Sequence, residues 1–302
     1  MAASSLSVRL DAGFGPAFAA LCAGAAAMGV SPVFVRFAAA DVGPFASAFW
    51  RVFLALPVLY AWMRLEEARG PVPARRGLSR ATILAGLAFA GDLFFWHLSI
   101  LNTTVANATF FACTAPIFVI LVAWLVQRKQ IAGATVAGLA LCVAGGVSLI
   151  GQSLEIAPGR ILGDLYGVAT AFFFGVYFIA VERAREGKGA GRVSFELTVV
   201  TAAALFVVAL ALETRLLPQT WNGVAALLAM AWISHAGGQG LLSVALGRLP
   251  AVFSSLVIFL EAIVGAGMGW LVLNERVTAI QLAGGALILF GIWVARPRTA
   301  TA

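Results

Sequence analysis

Trp124-Leu125-Val126 recurs as Trp270-Leu271-Val272, and the 146-residue offset between the copies runs through the whole chain. At the same shift Gly138 and Gly145 fall on Gly284 and Gly291, Gly29 and Val30 on Gly175 and Val176, and Gly91 on Gly237. A single shift that joins all four groups marks two copies of one unit, residues 1–151 and 152–302. Each copy carries five apolar stretches. An odd number of crossings makes the second copy enter the membrane from the opposite side, the inverted arrangement that lets carriers build two gates around one central site.

The composition supports a membrane reading. Hydrophobic residues make up 62% of the 302, charged residues 11%, and the mean hydropathy is +0.98, which leaves too little polar surface to cover a soluble domain. A helical span needs about 20 apolar residues. Ten are expected, near 14–38, 44–63, 79–100, 103–126, 131–151, 163–182, 194–213, 221–246, 249–273 and 278–295. Barrel strands would alternate apolar and polar residues, whereas these runs are apolar all round, so the fold class is an all-α integral membrane protein.

Loop charge sets the expected orientation. If both termini share a side, that side collects Arg9, Arg64, Arg69, Arg75, Arg76, Arg80, Arg128, Lys129, Arg183, Arg185, Lys188, Arg192, Arg248, Arg296 and Arg298. Only Arg36, Arg51, Arg160, Arg215 and Arg276 of the 20 basic residues fall elsewhere. The positive-inside rule then puts both termini in the cytoplasm. The net charge of +7 reads as a topology signal, and nucleic acid is not an expected partner. No cleavable signal is apparent, because the first apolar run is too long and leads into a second span. An inner (plasma) membrane location follows. Cys22, Cys113 and Cys142 all fall inside spans as small apolar groups, so neither a disulfide framework nor a metal site is expected.

Several chemistries lack their motifs. There is no Walker A sequence, no His-Glu-x-x-His pair and no Gly-x-Ser-x-Gly turn, so ATP-driven pumping and hydrolysis lose support, and no cofactor is implied. An intramembrane aspartyl protease needs two buried Asp residues; of Asp11, Asp41, Asp92 and Asp164 only Asp92 lies deep in a span. An intramembrane enzyme would rest on His97 and Ser99 alone. A channel would show matched rings of polar residues, and the polar positions of the two halves do not match.

The stretch from Arg36 to Arg51 with Pro44, the run from Thr103 to Pro116, and the two copies ending in Trp-Leu-Val together resemble the drug/metabolite transporter superfamily, in its EamA-type ten-helix branch. Trp270-Leu-Val-Leu-Asn-Glu-Arg-Val277 with Gln281 and Gly284 looks like that family's junction between helices nine and ten. The first copy reads Gln127-Arg128-Lys129-Gln130 there and lacks the customary Glu, so Glu275 reads as a helix-end charge. The resemblance implies a carrier for amino acids, S-adenosylmethionine, nucleotide sugars or other small metabolites. It also implies a central cavity lined by helices one, three, four, six, eight and nine. Helices five and ten would support the halves from outside, and their glycines suit close packing within one chain or a weak dimer.

Polar residues inside spans mark the expected site, because they are unfavourable there unless they face a cavity or a partner. On helix three Asp92, Trp96 and Ser99 share a face, with His97 beside them; Asp92 either holds a proton or a substrate ammonium, or pairs with Arg51. On helix four Thr103, Asn107, Phe110 and Thr114 form a stripe that suits a cavity wall. Pro116 removes a donor in mid-helix and predicts a hinge. On helix six Tyr166, Thr170, Phe173 and Tyr177 lie on one side, Tyr177 being the deep one. On helix eight Trp232, His235 and Gln239 share a face, and His235 is either a proton-responsive group or one satisfied by a neighbouring carbonyl. Glu261 is the other deep acid, with Ala115 as its counterpart in the first copy, while Gly238 is the counterpart of Asp92. The reading is a secondary carrier that exports a small metabolite, an amino acid first and S-adenosylmethionine as the alternative.

Overall fold

The computed structural model describes residues 4–70, 77–150, 158–273 and 278–297. Glu275 and the boundary between residues 151 and 152 lie outside the described residues. Every regular element among the described residues is helical. Eight of the helices are long and apolar enough to cross a membrane: Gly13–Val42, Pro44–Arg69, Arg80–Asn102, Ala106–Leu125, Gly133–Ile150, Ile161–Ala184, Ala190–Leu212 and Ala251–Met268. Ala279–Ala295 is a shorter apolar helix, and residues 221–246 form a continuous helical stretch whose middle is a π helix, Met230–Gln239.

Four of the expected spans are interrupted near their middles, and a fifth changes there to a π helix. The first divides into α1 (Ser4–Gly29) and α2 (Ser31–Val42), the second into α3 (Pro44–Phe53) and α4 (Leu56–Arg69). After α5 (Arg80–Asn102) the fourth divides into α6 (Val105–Cys113) and α7 (Ala115–Leu125). Proline stands in the first two positions of α2, α4 and α7, as Pro32, Pro57 and Pro116. A proline has no N–H to give to the preceding turn and its ring clashes with the carbonyl there, so each break falls just ahead of it. The Pro116 hinge position is thus a true interruption, with Thr114 N donating to Phe111 O at 2.9 Å.

The second half breaks without proline. Following α8 (Gly133–Ile150), α9 (Ile161–Ala184) and α10 (Ala190–Leu212), the eighth span runs through α11 (Trp221–Ala229), the π helix and α12 (Gly240–Leu246). The ninth divides into α13 (Ala251–Val257) and α14 (Leu260–Leu273), joined by tightened bonds from Glu261 N to Ile258 O (2.9 Å) and from Ala262 N to Phe259 O (3.2 Å). The last helix is α15 (Ala279–Ala295). Its start is a capping box, in which Thr278 Oγ1 accepts from Gln281 N and Gln281 Oε1 accepts from Thr278 N.

The first span begins at Ser4 rather than 14 and ends at Val42 rather than 38, and two further boundaries that differ from expectation are linked. Helix two continues six residues past 63 to Arg69, and helix seven begins at Ala190 rather than 194. Both have one cause. Glu66 near the end of α4 accepts from Ala190 N (2.9 Å) and Gly191 N (2.8 Å), which satisfies the free donors that open α10. Arg192 donates to both Glu67 and Glu196, and Lys188 pairs with Glu196 at 2.6 Å. At the opposite end of this antiparallel pair, Glu213 just after α10 accepts from Phe45 N in the first turn of α3 at 2.7 Å. A carboxylate therefore latches each end of helices two and seven.

Helices α8 and α15 pack through their glycines, with Gly138, Gly145, Gly284 and Gly291 all turned inward. Removing Cβ atoms lets two backbones meet, which is how small residues serve helix association in lipid. These glycine faces are spent within the chain.

Candidate functional site

The helix breaks contribute to one interior space. Ser31 and Pro32 at the break in span one, Arg51 three residues before the break in span two, and Ala112 two before the break in span four all line it. Gln239 reaches it from the last turn of the π helix and Glu261 from the first turn of α14. Asp92 and Trp96 enter from the unbroken α5, and Phe174 from α9. Interrupted helices place backbone polarity and charged side chains at membrane depth, a geometry secondary carriers use around their sites. The free space is about 50 Å³, room for one or two waters. The latches at both ends of helices two and seven are formed.

Its polar groups are deeply buried and thinly partnered. Arg51 is 4% exposed, Asp92 7% and Gln239 6%. Arg51 Nη1 donates to Ser31 Oγ at 3.1 Å, while Arg51 Nε, Gln239 Oε1, Glu261 Oε1 and Thr109 Oγ1 are buried without a hydrogen-bond partner. No ion pair within 4.0 Å joins Arg51 to either acid among the described residues, so the expected Asp92–Arg51 contact pair is not formed. Met28, Phe89, Trp96 and Phe174 supply the apolar wall.

Asp92, Trp96, Gln239 and Glu261 thus come together as the sequence indicates. The other candidates stand outside the lining. His97 donates or accepts through Nδ1 with Leu93 O (2.7 Å) and through Nε2 with Ser47 Oγ (3.4 Å), on the side of α5 that faces α3. His235 contacts Thr198 Oγ1 through Nε2 (2.9 Å) and stacks on Phe89 with centroids 5.4 Å apart, one layer behind the cavity. Its partner is a hydroxyl rather than the expected carbonyl. Tyr177 packs on the other part of Phe89, 5.0 Å between centroids, and is 1% exposed.

Helix four is rotated from expectation. Thr103 Oγ1 (2.8 Å) and Asn107 Nδ2 (3.2 Å) both donate to Asp164 on α9, and Phe110 lies over Gly146 on α8. Asn107 and Phe110 are accordingly buried between helices, and it is Thr109 and Ala112 that face the cavity. On helix six the stripe of Tyr166 and Phe173 packs against Phe95, leaving Phe174 to face the site. In helix eight the wider π turn, with bonds from i to i+5, breaks the i, i+3 register. Trp232 is 51% exposed and donates to Leu54 O at 3.2 Å, while His235 and Gln239 point inward. Ser31, Arg51 and Thr109 are the polar side chains of the lining that sequence reasoning did not assign to the site, and Met28, Phe89 and Phe174 are apolar ones. For Arg51 the signal was present: a guanidinium seven residues into an apolar span.

Comparison with known proteins adds the following. The EamA-like transporter family model matches residues 15–151 and again residues 161–296. An uncharacterized transporter of Archaeoglobus fulgidus is similar at 25% identity over 275 residues, which is 87% of this chain and 91% of that protein. A solved crystal structure covers 92% of this chain and 96% of its own with a TM-score of 0.79 at 18% identity, a likeness of fold.

Proposed function

The chain belongs to the EamA-like transporter family, and from that premise we propose that it is a ten-helix secondary transporter exporting a small metabolite, an amino acid above all. The observation that carries the reading is the pair of acids, Asp92 and Glu261, lining one interior cavity with aromatic walls to which both halves contribute. A carboxylate at membrane depth with no contact partner is a place to hold a substrate ammonium or a proton. The repeats, taken as 1–151 and 152–302, would rock against one another, with the cavity opening to each side in turn. Rocking must also widen the site, because its free space, about 50 Å³, has room for only one or two waters. The excess of basic residues in one set of loops supports a topology with both termini in the cytoplasm and the chain in the plasma (inner) membrane. The protein acts as a monomer or weak dimer.

The test is counterflow into liposomes holding the purified protein, with labelled amino acids and S-adenosylmethionine run side by side. Saturable accumulation of an amino acid supports the reading. Accumulation of the sulfonium compound alone favours the second reading, which the acidic and aromatic lining also suits.

A further inference from the structure

The cavity holds charges of both signs that do not neutralise each other at contact distance. Arg51 cannot shed its charge and presents five donors in a planar fork; here one nitrogen donates to Ser31 and Nε meets no protein acceptor. Facing the same space, Glu261 Oε1 and Gln239 Oε1 are acceptors without donors, and Asp92 is the second acid. In the low-dielectric interior of a membrane protein such groups are strongly unfavourable when left apart. Had stability been the only requirement, Arg51 and an acid would close into an ion pair. Lining one space without contact between them, a donor fork and a set of acceptors form the complement of a molecule with a carboxylate at one end and an ammonium at the other.

We infer that Arg51 is the carboxylate anchor of the site: the substrate is a free α-amino acid, its carboxylate bound by the Arg51 guanidinium and its ammonium by Glu261 and Gln239. This rests on the amino-acid reading above and sharpens it, because it excludes amines, esters and hydroxy acids that share the same side chain. Ser31 is a positioning residue that steadies the guanidinium from the break in span one. The side chain of the substrate then lies among Met28, Phe89, Trp96 and Phe174.

The experiment is a cycle between a group on the ligand and a group on the protein. Full-length protein in liposomes is assayed by counterflow with L-phenylalanine and L-leucine, competed by their methyl esters, by phenethylamine and isopentylamine, and by the matching hydroxy acids. In the wild type the ester, amine and hydroxy acid should each compete at least about tenfold more weakly than the amino acid, the size expected for one lost charge-assisted contact. Arg51→Gln should bring the amino acid down to the level of its ester while changing the ester less than about twofold. Arg51→Lys, which retains the charge and loses the fork, should fall between. If the ester competes as well as the amino acid, or if Arg51→Gln weakens both equally, the anchor assignment is overturned; the wild-type comparison decides this even where the variant does not fold. If the wild type carries neither amino acid nor any other in the standard set, the amino-acid reading itself fails and takes the inference with it.

Discussion

Gly138 meets Gly291, and Gly145 meets Gly284, so each glycine contacts the repeat partner of the other. A Cβ on Gly138 would stand 2.5 Å from Gly291 O, and one on Gly145 2.5 Å from Gly284 O. Midway between them Cys142 Sγ lies 3.6 Å from the carbonyl of Ile288, its own repeat partner 146 residues away. This crossed pairing is what a two-fold axis between antiparallel helices produces, and it locates that axis beside Cys142. The latches follow this symmetry to within one residue: Phe45 is the repeat partner of Gly191, but Glu213, which caps α3 at Phe45, is the partner of Glu67, whereas the neighbouring Glu66 caps Gly191.

Gly145→Ala should lower stability by about 1–3 kcal/mol, because the new methyl meets backbone on the facing helix and neither helix can withdraw. Gly285→Ala is the matched control, since nothing lies within 4 Å of its added Cβ; it should be neutral or raise stability by about 0.5–1 kcal/mol. Thermal unfolding of both variants in the same detergent checks this, and equal melting temperatures would refute the close-packing account.

Glu261→Gln and Asp92→Asn should each reduce transport by at least about tenfold while leaving yield and melting temperature near wild type. Proteoliposome flux measured beside a thermal melt separates the two effects. Full activity in both variants would remove the acids from the mechanism.

Glu66→Gln and Glu213→Gln should loosen opposite gates. Each removes a charged acceptor from a helix N-terminus, a change worth about 1 kcal/mol, enough to shift a balanced equilibrium about fivefold. With Cys22, Cys113 and Cys142 replaced and a reporter cysteine at Ala112 in the cavity wall, a membrane-impermeant thiol reagent should gain access from the Glu66 side in the first variant. In the second, access should come from the Glu213 side. Increased labelling from one and the same side would show that these contacts are not gates.

Glu196→Gln should cost about 3–5 kcal/mol, because it leaves the Lys188 ammonium buried without its carboxylate. Lys188→Met should cost less, since Glu196 retains Arg192 at 3.2 Å and the methionine fills the same space. Denaturation monitored by tryptophan fluorescence orders the two; the reverse order would mean that Lys188 is held mainly by Gly77 O at 2.7 Å.

Much of this arrangement was legible beforehand. The repeat, the helical class, the proline break in span four and the depth of Asp92 and Glu261 all follow from period, length and spacing. The helix-four stripe was misjudged for a definite reason: Asn107 and Thr103 find an acceptor in Asp164 on α9, and no local pattern shows which of two faces will meet that helix. Trp232 was grouped with Gln239 because an α-helical period was assumed where the chain adopts a π helix. His97 and His235 were drawn toward the cavity by depth alone, though their partners are Leu93, Ser47 and Thr198.

The sequence by itself determined that this chain spans a membrane as two copies of one unit and which charged groups fall deep within apolar runs, because hydrophobic run length and residue spacing are local quantities. Only the tertiary structure decided which of those groups share a space. Each break in a span frees the rotation of the segment beyond it, and that rotation is set by contacts with helices distant in the chain. The separation of Arg51 from Asp92 and Glu261 around one cavity is a product of those rotations, invisible in any single helix.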